Sequence, residues 1–323
     1  MTKYPLTSNS KVELFPVEFI SIDQIVVEEQ NIGPASKQIL QTSINNWSKA
    51  LGGRLSYVLK LAGDEEETIQ IIFSNDGLLN EFASLKSHKD IEYFSKTHGL
   101  LGIQHPDTEQ VNSPHPAIQA TLQPPFIFTL YGESVLEPIE LWEWHIKEVQ
   151  QILKLYHAIR KAKSEDYLNN IIEIKMERGP FGSSIDDKRI YDRYFVYWTN
   201  GELILMLPSE YEEKSMLEIA VYTLAKIIQS RISRGVNLGV GDIIFNPSTK
   251  GFKTIEERYT NNLLAAIYYE LWQTINDSKN IYICENKNCR SPFVKSGRKK
   301  YCNEACKQEA YRIRVKEKEG KDK

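Results

Sequence analysis

The sequence predicts an α+β body followed by a small cysteine-ligated unit near the C-terminal end of its 323 residues. Three observations predict it. Helical and strand-like hydrophobic periods both occur along the first 280 residues, a proline-rich stretch interrupts them from residue 104, and all four cysteines fall within CENKNCRSPFVKSGRKKYCNEAC, residues 284 to 306. The length suits at least two folding units, since domains settle at about 100 to 150 residues. A hydrophobic content of 41% and a charged content of 26% belong to an ordinary globular chain and exclude wholesale disorder. The opening MTKYPLTSNSKVELF has neither the basic head nor the apolar run of a secretory signal, and no apolar stretch reaches the roughly 18 residues of a membrane span. The expectation is a cytoplasmic protein with no membrane partner.

Four segments are expected: an N-terminal α+β region over 1–103, a linker over 104–125, a mainly helical α+β region over 126–280, and a finger with a basic tail over 281–323. In the first, PASKQILQTSINNWSKAL reads as a helix with Ile39, Ile44 and Trp47 near one face. RLSYVLKLAG and ETIQIIFS are strand-like and flank the acidic DEEE, which suggests a hairpin, and short helices follow around LLNEFASL and DIEYFSKTHGLL. The linker assignment rests on 5 of the 13 prolines falling between residues 104 and 125.

Beyond the linker, Pro138 suits a first helical turn, and Ile139, Trp142, Ile146, Val149, Leu153 and Tyr156 recur at spacings of three and four up to about Lys163. Such a stripe could be the seam of a homodimer, but fewer than four sustained heptads favour a face turned to the core. Asn200 and Gly201 separate two strand-like runs in YFVYWTNGELILML, the signal of a hairpin with a type I′ turn. A helix is expected from Ser209 to Ser233 with Leu217, Val221, Leu224 and Ile228 inward. Another is expected over 256–277, carrying Tyr259, Leu263, Ile267, Leu271 and Ile275. Gly235, Gly239 and Gly241 lack the lysine and hydroxyl of a phosphate loop and read as turns.

The cysteines are spaced C-x4-C, twelve residues, then C-x3-C, from Cys284 and Cys289 to Cys302 and Cys306. Each close pair can bend around one edge of a tetrahedron while the intervening arm folds back, an arrangement suited to Zn²⁺. In a reducing compartment, disulfides are the weaker reading. After Ile281, Tyr282 and Ile283 the first pair forms a turn. Phe293 and Val294 supply a strand, Ser296 and Gly297 reverse it, and Lys299, Lys300 and Tyr301 return. Asn303 then caps a helix with Cys306 in its first turn. Knuckle, hairpin and helix together make a treble-clef-like four-cysteine zinc finger.

The run C-x4-C…F…GR-x-x-Y-C-x-x-x-C followed by a basic helix, over residues 281 to 316, resembles the CGNR-type zinc fingers near the C-terminus of bacterial proteins regarded as stress-related transcription regulators. THGLLGI at 97–103 and EPIELWEW at 137–144 look like segments of similar bacterial proteins. Where the name-giving motif reads Cys-Gly-Asn-Arg, this chain has Cys306, Lys307, Gln308 and Glu309, with Arg312 and Arg314 about one turn later. The resemblance implies a DNA-binding regulator.

Charge is distributed to match. Residues 284 to 323 hold 13 Lys and Arg against 6 Asp and Glu, a net of +7, which leaves −10 for the first 283 residues. The tail is therefore attracted to nucleic acid and the body repelled by it. Lys295, Arg298, Lys299 and Lys300 on the arm, with Lys307, Arg312, Arg314 and Lys316 on the helix, are the candidate contacts, to DNA ahead of RNA. Two rival readings are a tail stapled by zinc for docking on a protein, and an RNA-acting or phage-defence component with an unrecognised active site. A four-cysteine site leaves no open coordination position for a catalytic water, and all six histidines, at 88, 98, 105, 115, 145 and 157, precede the cluster. Asp166, Glu173 and Lys175 loosely suggest a metal-dependent nuclease set, but they read more simply as polar positions flanking Ile171, Ile172 and Ile174. No catalytic residue is assigned.

Overall fold

The computed structural model describes residues 4–5, 10–14, 17–21, 34–51, 53, 55–61, 69–73, 77–104, 131–132, 135–161, 166–179, 190–233, 235–246, 251–260, 262–295 and 297–319. The chain begins with strands β1 (Tyr4–Pro5), β2 (Ser10–Leu14) and β3 (Val17–Ser21), helix α1 (Pro34–Ala50), and strands β4 (Tyr57–Leu61) and β5 (Ile69–Phe73). Helices α2 (Leu78–Ser84) and α3 (His88–His98), strand β6 (Leu136–Pro138) and helices α4 (Ile139–Lys161) and α5 (Asp166–Asn169) follow. Next come strands β7 (Ile172–Gly179), β8 (Tyr191–Trp198) and β9 (Leu203–Met206), helix α6 (Met216–Ile232), strands β10 (Asn237–Asn246) and β11 (Gly251–Thr260), and helix α7 (Leu263–Asn276). Strands β12 (Ile281–Ile283) and β13 (Pro292–Val294) and helix α8 (Glu304–Glu319) end the described chain. The result is a mixed α+β fold with small sheets, and no helix among the described residues is long and apolar enough to cross a membrane.

Two compact units divide the chain. One comprises Met1–Leu79, Leu85–Trp144 and Ser230–Leu271; the other comprises Asn80–Ser84, His145–Gln229 and Trp272–Lys323. The first unit holds the sheets β1-β11-β10, β2-β5 and β3-β4-β6. The hairpin expected across DEEE does not form there. β4 pairs with β3 from Tyr57↔Ser21 to Leu61↔Val17, and β5 pairs with β2 from Ile69↔Leu14 to Phe73↔Ser10, so both strands run antiparallel to the same N-terminal stretch. DEEE offers no residue that readily takes positive φ for a tight turn; it lies outside the described residues, as does the proline-rich stretch from residue 105 to 130. On α1 the inward face is Leu40, Ser43, Asn46 and Trp47, while Ile39 is 54% exposed. Residues 256–260, expected as helix, belong to β11, where Glu256 and Glu257 sit opposite Val240 and Gly239 of β10. Gly239 is thus in a strand, as is Gly241, beside a bulge between Val240 and Ile243.

A buried carboxylate organises the first unit. Glu137 has no exposed surface, and its Oε1 accepts from the Gly102 and Ile103 amides at 2.7 and 3.0 Å. Its Oε2 accepts from the Leu101 amide and the Trp142 indole, each at 2.9 Å. Burial pushes the carboxyl up to about 7 against the pull of these four donors. The loop THGLLGI is therefore a nest wrapped around one side chain of EPIELWEW, which gives these two sequence segments a shared structural role. Gly102 is required in that loop: its φ is +81°, and a Cβ there would lie 2.6 Å from Asn262 Oδ1.

In the second unit, all six residues of the expected α4 stripe are buried, Ile139 and Trp142 lying just before the unit's boundary; Ile152, Leu155 and Ala158 are buried as well, so the helix faces the core broadly. On α6 the inward set is Met216, Ile219, Ala220, Thr223, Leu224, Ile227 and Ile228, whereas Leu217 and Val221 are exposed. The buried face is rotated by about one position from the expected stripe. The β8-β9 hairpin forms where Asn200-Gly201 predicts it, with a different turn. Trp198 N–H donates to Glu202 O, Gly201 N–H donates to Trp198 O, and only Gly201 has positive φ, at +87°. That is a three-residue loop with a glycine bulge in place of type I′.

Replacing Glu137 by alanine strips four buried donors of their acceptor and is expected to lower the unfolding free energy by about 3 kcal/mol or more in urea titration at neutral pH. Since the folded state holds the proton above the ordinary value of 4.5, wild-type stability should fall as pH rises from 4.5 through 7, and the alanine variant should lack that slope.

Candidate metal centre

The final strand pair delivers the first two cysteines. β12 and β13 are antiparallel, with Ile281↔Val294 and Ile283↔Pro292 in register, so residues 284–291 must close as a short loop between them. Asn286 shapes that loop from inside, with no exposed surface. Its side-chain oxygen accepts from the Asn288 amide at 3.0 Å, and its carbonyl accepts from the Cys289 and Arg290 amides at 3.0 and 3.1 Å. Arg290 closes the loop at a φ of +51°, a conformation that non-glycine residues adopt only at a cost. Ser291 O accepts from the Cys284 amide at 2.9 Å, which fixes the first sulfur at the mouth of the strand pair.

The second pair arrives on the arm and the start of α8. Gly297 turns at a φ of +60°, and Lys300 O accepts from the Glu285 amide at 3.0 Å. That single bond is where the arm returns; residues 299–301, expected as a strand, are irregular because the loop beside them has no run of amides to offer. Asn303 caps α8 as its residue type predicts, its Oδ1 accepting from the Cys306 amide at 2.8 Å.

All four Sγ atoms lie within 4.8 Å of one another, with Cys289 and Cys302 at 3.6 Å and Cys302 and Cys306 at 3.4 Å. None is in a disulfide. Cys284 and Cys306 are buried and Cys289 and Cys302 half-buried, packed with Phe293, Tyr282 and Tyr301. Crowding disfavours charge here: the hydrogen bond with Cys289, then burial, then the other sulfurs, drive the Cys302 thiol far up from its ordinary value. A cation at the centre would offset that penalty, and four soft donors so placed can hold a metal ion.

Residues that sequence reasoning did not single out lock this geometry. Glu309 accepts from Asn286 Nδ2 and Asn288 Nδ2, both at 2.8 Å, and Asn286 Nδ2 also donates to Cys306 O at 3.3 Å. Glu309 stands where the CGNR motif has arginine, and here it ties α8 to the first cysteine loop. The signal was present in the spacing: Cys306, Glu309, Ala310 and Ile313 recur at i, i+3, i+4 and i+7, the inward face of α8. Anchors come from farther away. Ile281 O accepts from His157 Nδ1 at 2.6 Å, Lys279 O from Tyr156 Oη at 3.2 Å, and Ser278 O and Lys279 O from Arg160 Nη1 at 2.7 and 2.9 Å. The Val294 amide donates to Asn80 Oδ1 at 2.7 Å.

The candidate basic residues are not brought into one cluster by any interaction among the described residues. Lys295 is half-buried, with Nζ 3.8 Å from the Tyr282 ring centroid. Arg298, Lys299 and Lys300 are exposed, Lys300 lying 3.6 Å from Glu285. On α8, Lys307 pairs with Glu304 at 3.0 Å, Arg312 and Arg314 are exposed, and the Lys316 side chain is outside the described residues. Glu173 and Lys175 pair with each other at 3.0 Å on the open sheet surface, while the Asp166 side chain is outside the described residues. No family model matches the chain, and no curated protein or solved structure does either.

The Glu309→Ala variant should leave Asn286 with a buried, unsatisfied amide and destabilise the finger by about 1 to 3 kcal/mol. Hydrogen exchange across residues 284–306 should accelerate accordingly, with the β7-β8-β9 amides unaffected.

Proposed function

We propose that residues 281 to 316 form a treble-clef-like finger ordered by Zn²⁺, and that the chain binds nucleic acid through it, DNA ahead of RNA, as a transcription regulator. The sulfur geometry supports zinc. Four thiolates at about 2.3 Å from a tetrahedral ion stand about 3.8 Å apart, within the spread of separations found here. Zinc would serve as a closed structural centre, since four cysteines fill its coordination sphere.

The observation that carries the nucleic-acid reading is the disposition of charge around that centre. The acidic residues interleaved with the bases are engaged: Glu309 with two asparagines, Glu304 with Lys307 and Glu285 with Lys300. Arg298, Lys299, Arg312 and Arg314 remain as the exposed positive surface of a unit whose tail carries +7. Phosphate binding by such a surface needs no base-specific contact and releases counterions, so it must weaken with salt. The anchoring of β12 by Tyr156, His157 and Arg160 favours a second reading, a zinc-stapled protein-interaction module, in which salt would have a smaller effect.

Purified chain should carry one equivalent of zinc, released by acid as thiols take up protons. A strong chelator should raise hydrogen exchange across 284–306 and also along 278–283, where the finger is bonded to α4, while Glu137-centred amides keep their protection. Titration of a labelled DNA duplex tests the partner. Making Arg298, Lys299 and Lys300 alanine should flatten the log-affinity against log-salt slope by about 2.7, at about 0.9 for each lost phosphate contact. Unchanged affinity and slope would exclude the finger as the contact surface.

A further inference from the structure

We infer that Tyr311 is a base-stacking residue, and that the nucleic acid engaged by α8 presents unpaired bases. The inference rests on the nucleic-acid reading above and deepens it to a class of target.

α8 turns Cys306, Glu309, Ala310 and Ile313 inward, and Lys307, Gln308, Tyr311, Arg312 and Arg314 are exposed. Tyr311 stands in the middle of that outer face, 64% exposed, one turn from Lys307 and from Arg314 and next to Arg312. The finger gains no core from it; the packed aromatics are Phe293, Tyr282 and Tyr301. Arg314 is steadied on the helix by donating from Nε to Ala310 O at 3.2 Å. The described acidic residues of the helix do not oppose an incoming phosphate here, Glu309 being drawn to the asparagines and Glu304 to Lys307.

An aromatic ring between cationic side chains is the arrangement that grips single strands. The cations follow the phosphates while the ring stacks on a base, whatever its sequence. In a duplex the faces of the bases are already stacked on one another, so the ring reaches them only where the strands are open. A tyrosine is also suited to the exposed position, because its hydroxyl stays solvated when the ring is free.

Zinc-loaded full-length chain, titrated by fluorescence anisotropy into a mixed-sequence 20-mer and into its duplex, tests this at constant salt. Wild type should prefer the single strand. Tyr311→Ala should weaken single-strand binding by about 5- to 150-fold with duplex binding and the salt slope unchanged, and Tyr311→Phe should bind as wild type. Arg312→Ala is the contrasting variant, flattening the single-strand salt slope by about 0.7. Single-strand binding by Tyr311→Ala within twofold of wild type overturns the inference and leaves the nucleic-acid reading standing, as does wild-type binding to duplex alone. Wild type that binds neither overturns both.

Discussion

A C-terminal unit this poor in core depends on four sulfurs meeting at one point. Its buried cluster is Cys284, Phe293 and Cys306, with Tyr282, Cys289, Tyr301 and Cys302 packed against it. Ordering a residue costs about 1 to 2 kcal/mol, so a cluster of this size does not by itself order a stretch of some forty residues. Two local devices aim the sulfurs: the β12-β13 register brings residues 284 and 291 together, and the Asn303 cap places Cys306 in the first turn of α8. The convergence that follows also crowds the thiols, which is why a cation suits the centre better than four protons do.

Polar groups carry as much of the arrangement as apolar ones. Asn286 is fully enclosed, yet its side chain and carbonyl are satisfied by Glu309, Asn288, Cys289, Arg290 and Cys306. The chain leading into β12 is held likewise, its carbonyls taken up by Tyr156, His157 and Arg160. Glu137 repeats the device in the first unit, one carboxylate gathering three consecutive amides and an indole. In each case a single polar side chain fixes an irregular backbone that has no ladder of its own.

Function in this reading turns on which charges remain available. A count of Lys, Arg, Asp and Glu along α8 suggests an evenly mixed, solvated helix. The fold separates them, drawing Glu309 to the knuckle and leaving Tyr311, Arg312 and Arg314 outward. The departure from the CGNR motif at residue 309 is part of the same arrangement, since a carboxylate there satisfies two amides that a guanidinium could not.

What the sequence determined by itself were features whose causes lie a few residues apart. The cysteine spacing, the Asn303 cap, the buried stripe of α4 and the hairpin at Gly201 were legible because each rests on neighbours along the chain. Partner choice was not. β4 and β5 met the N-terminal strands instead of each other, Glu256 and Glu257 became strand, and α6 turned Leu217 and Val221 outward, because several pairings satisfy the same local pattern and only packing ranks them. The roles of Glu137 and Glu309 were likewise decided by tertiary structure, since a carboxylate's partners depend on which amides the fold leaves unpaired around it.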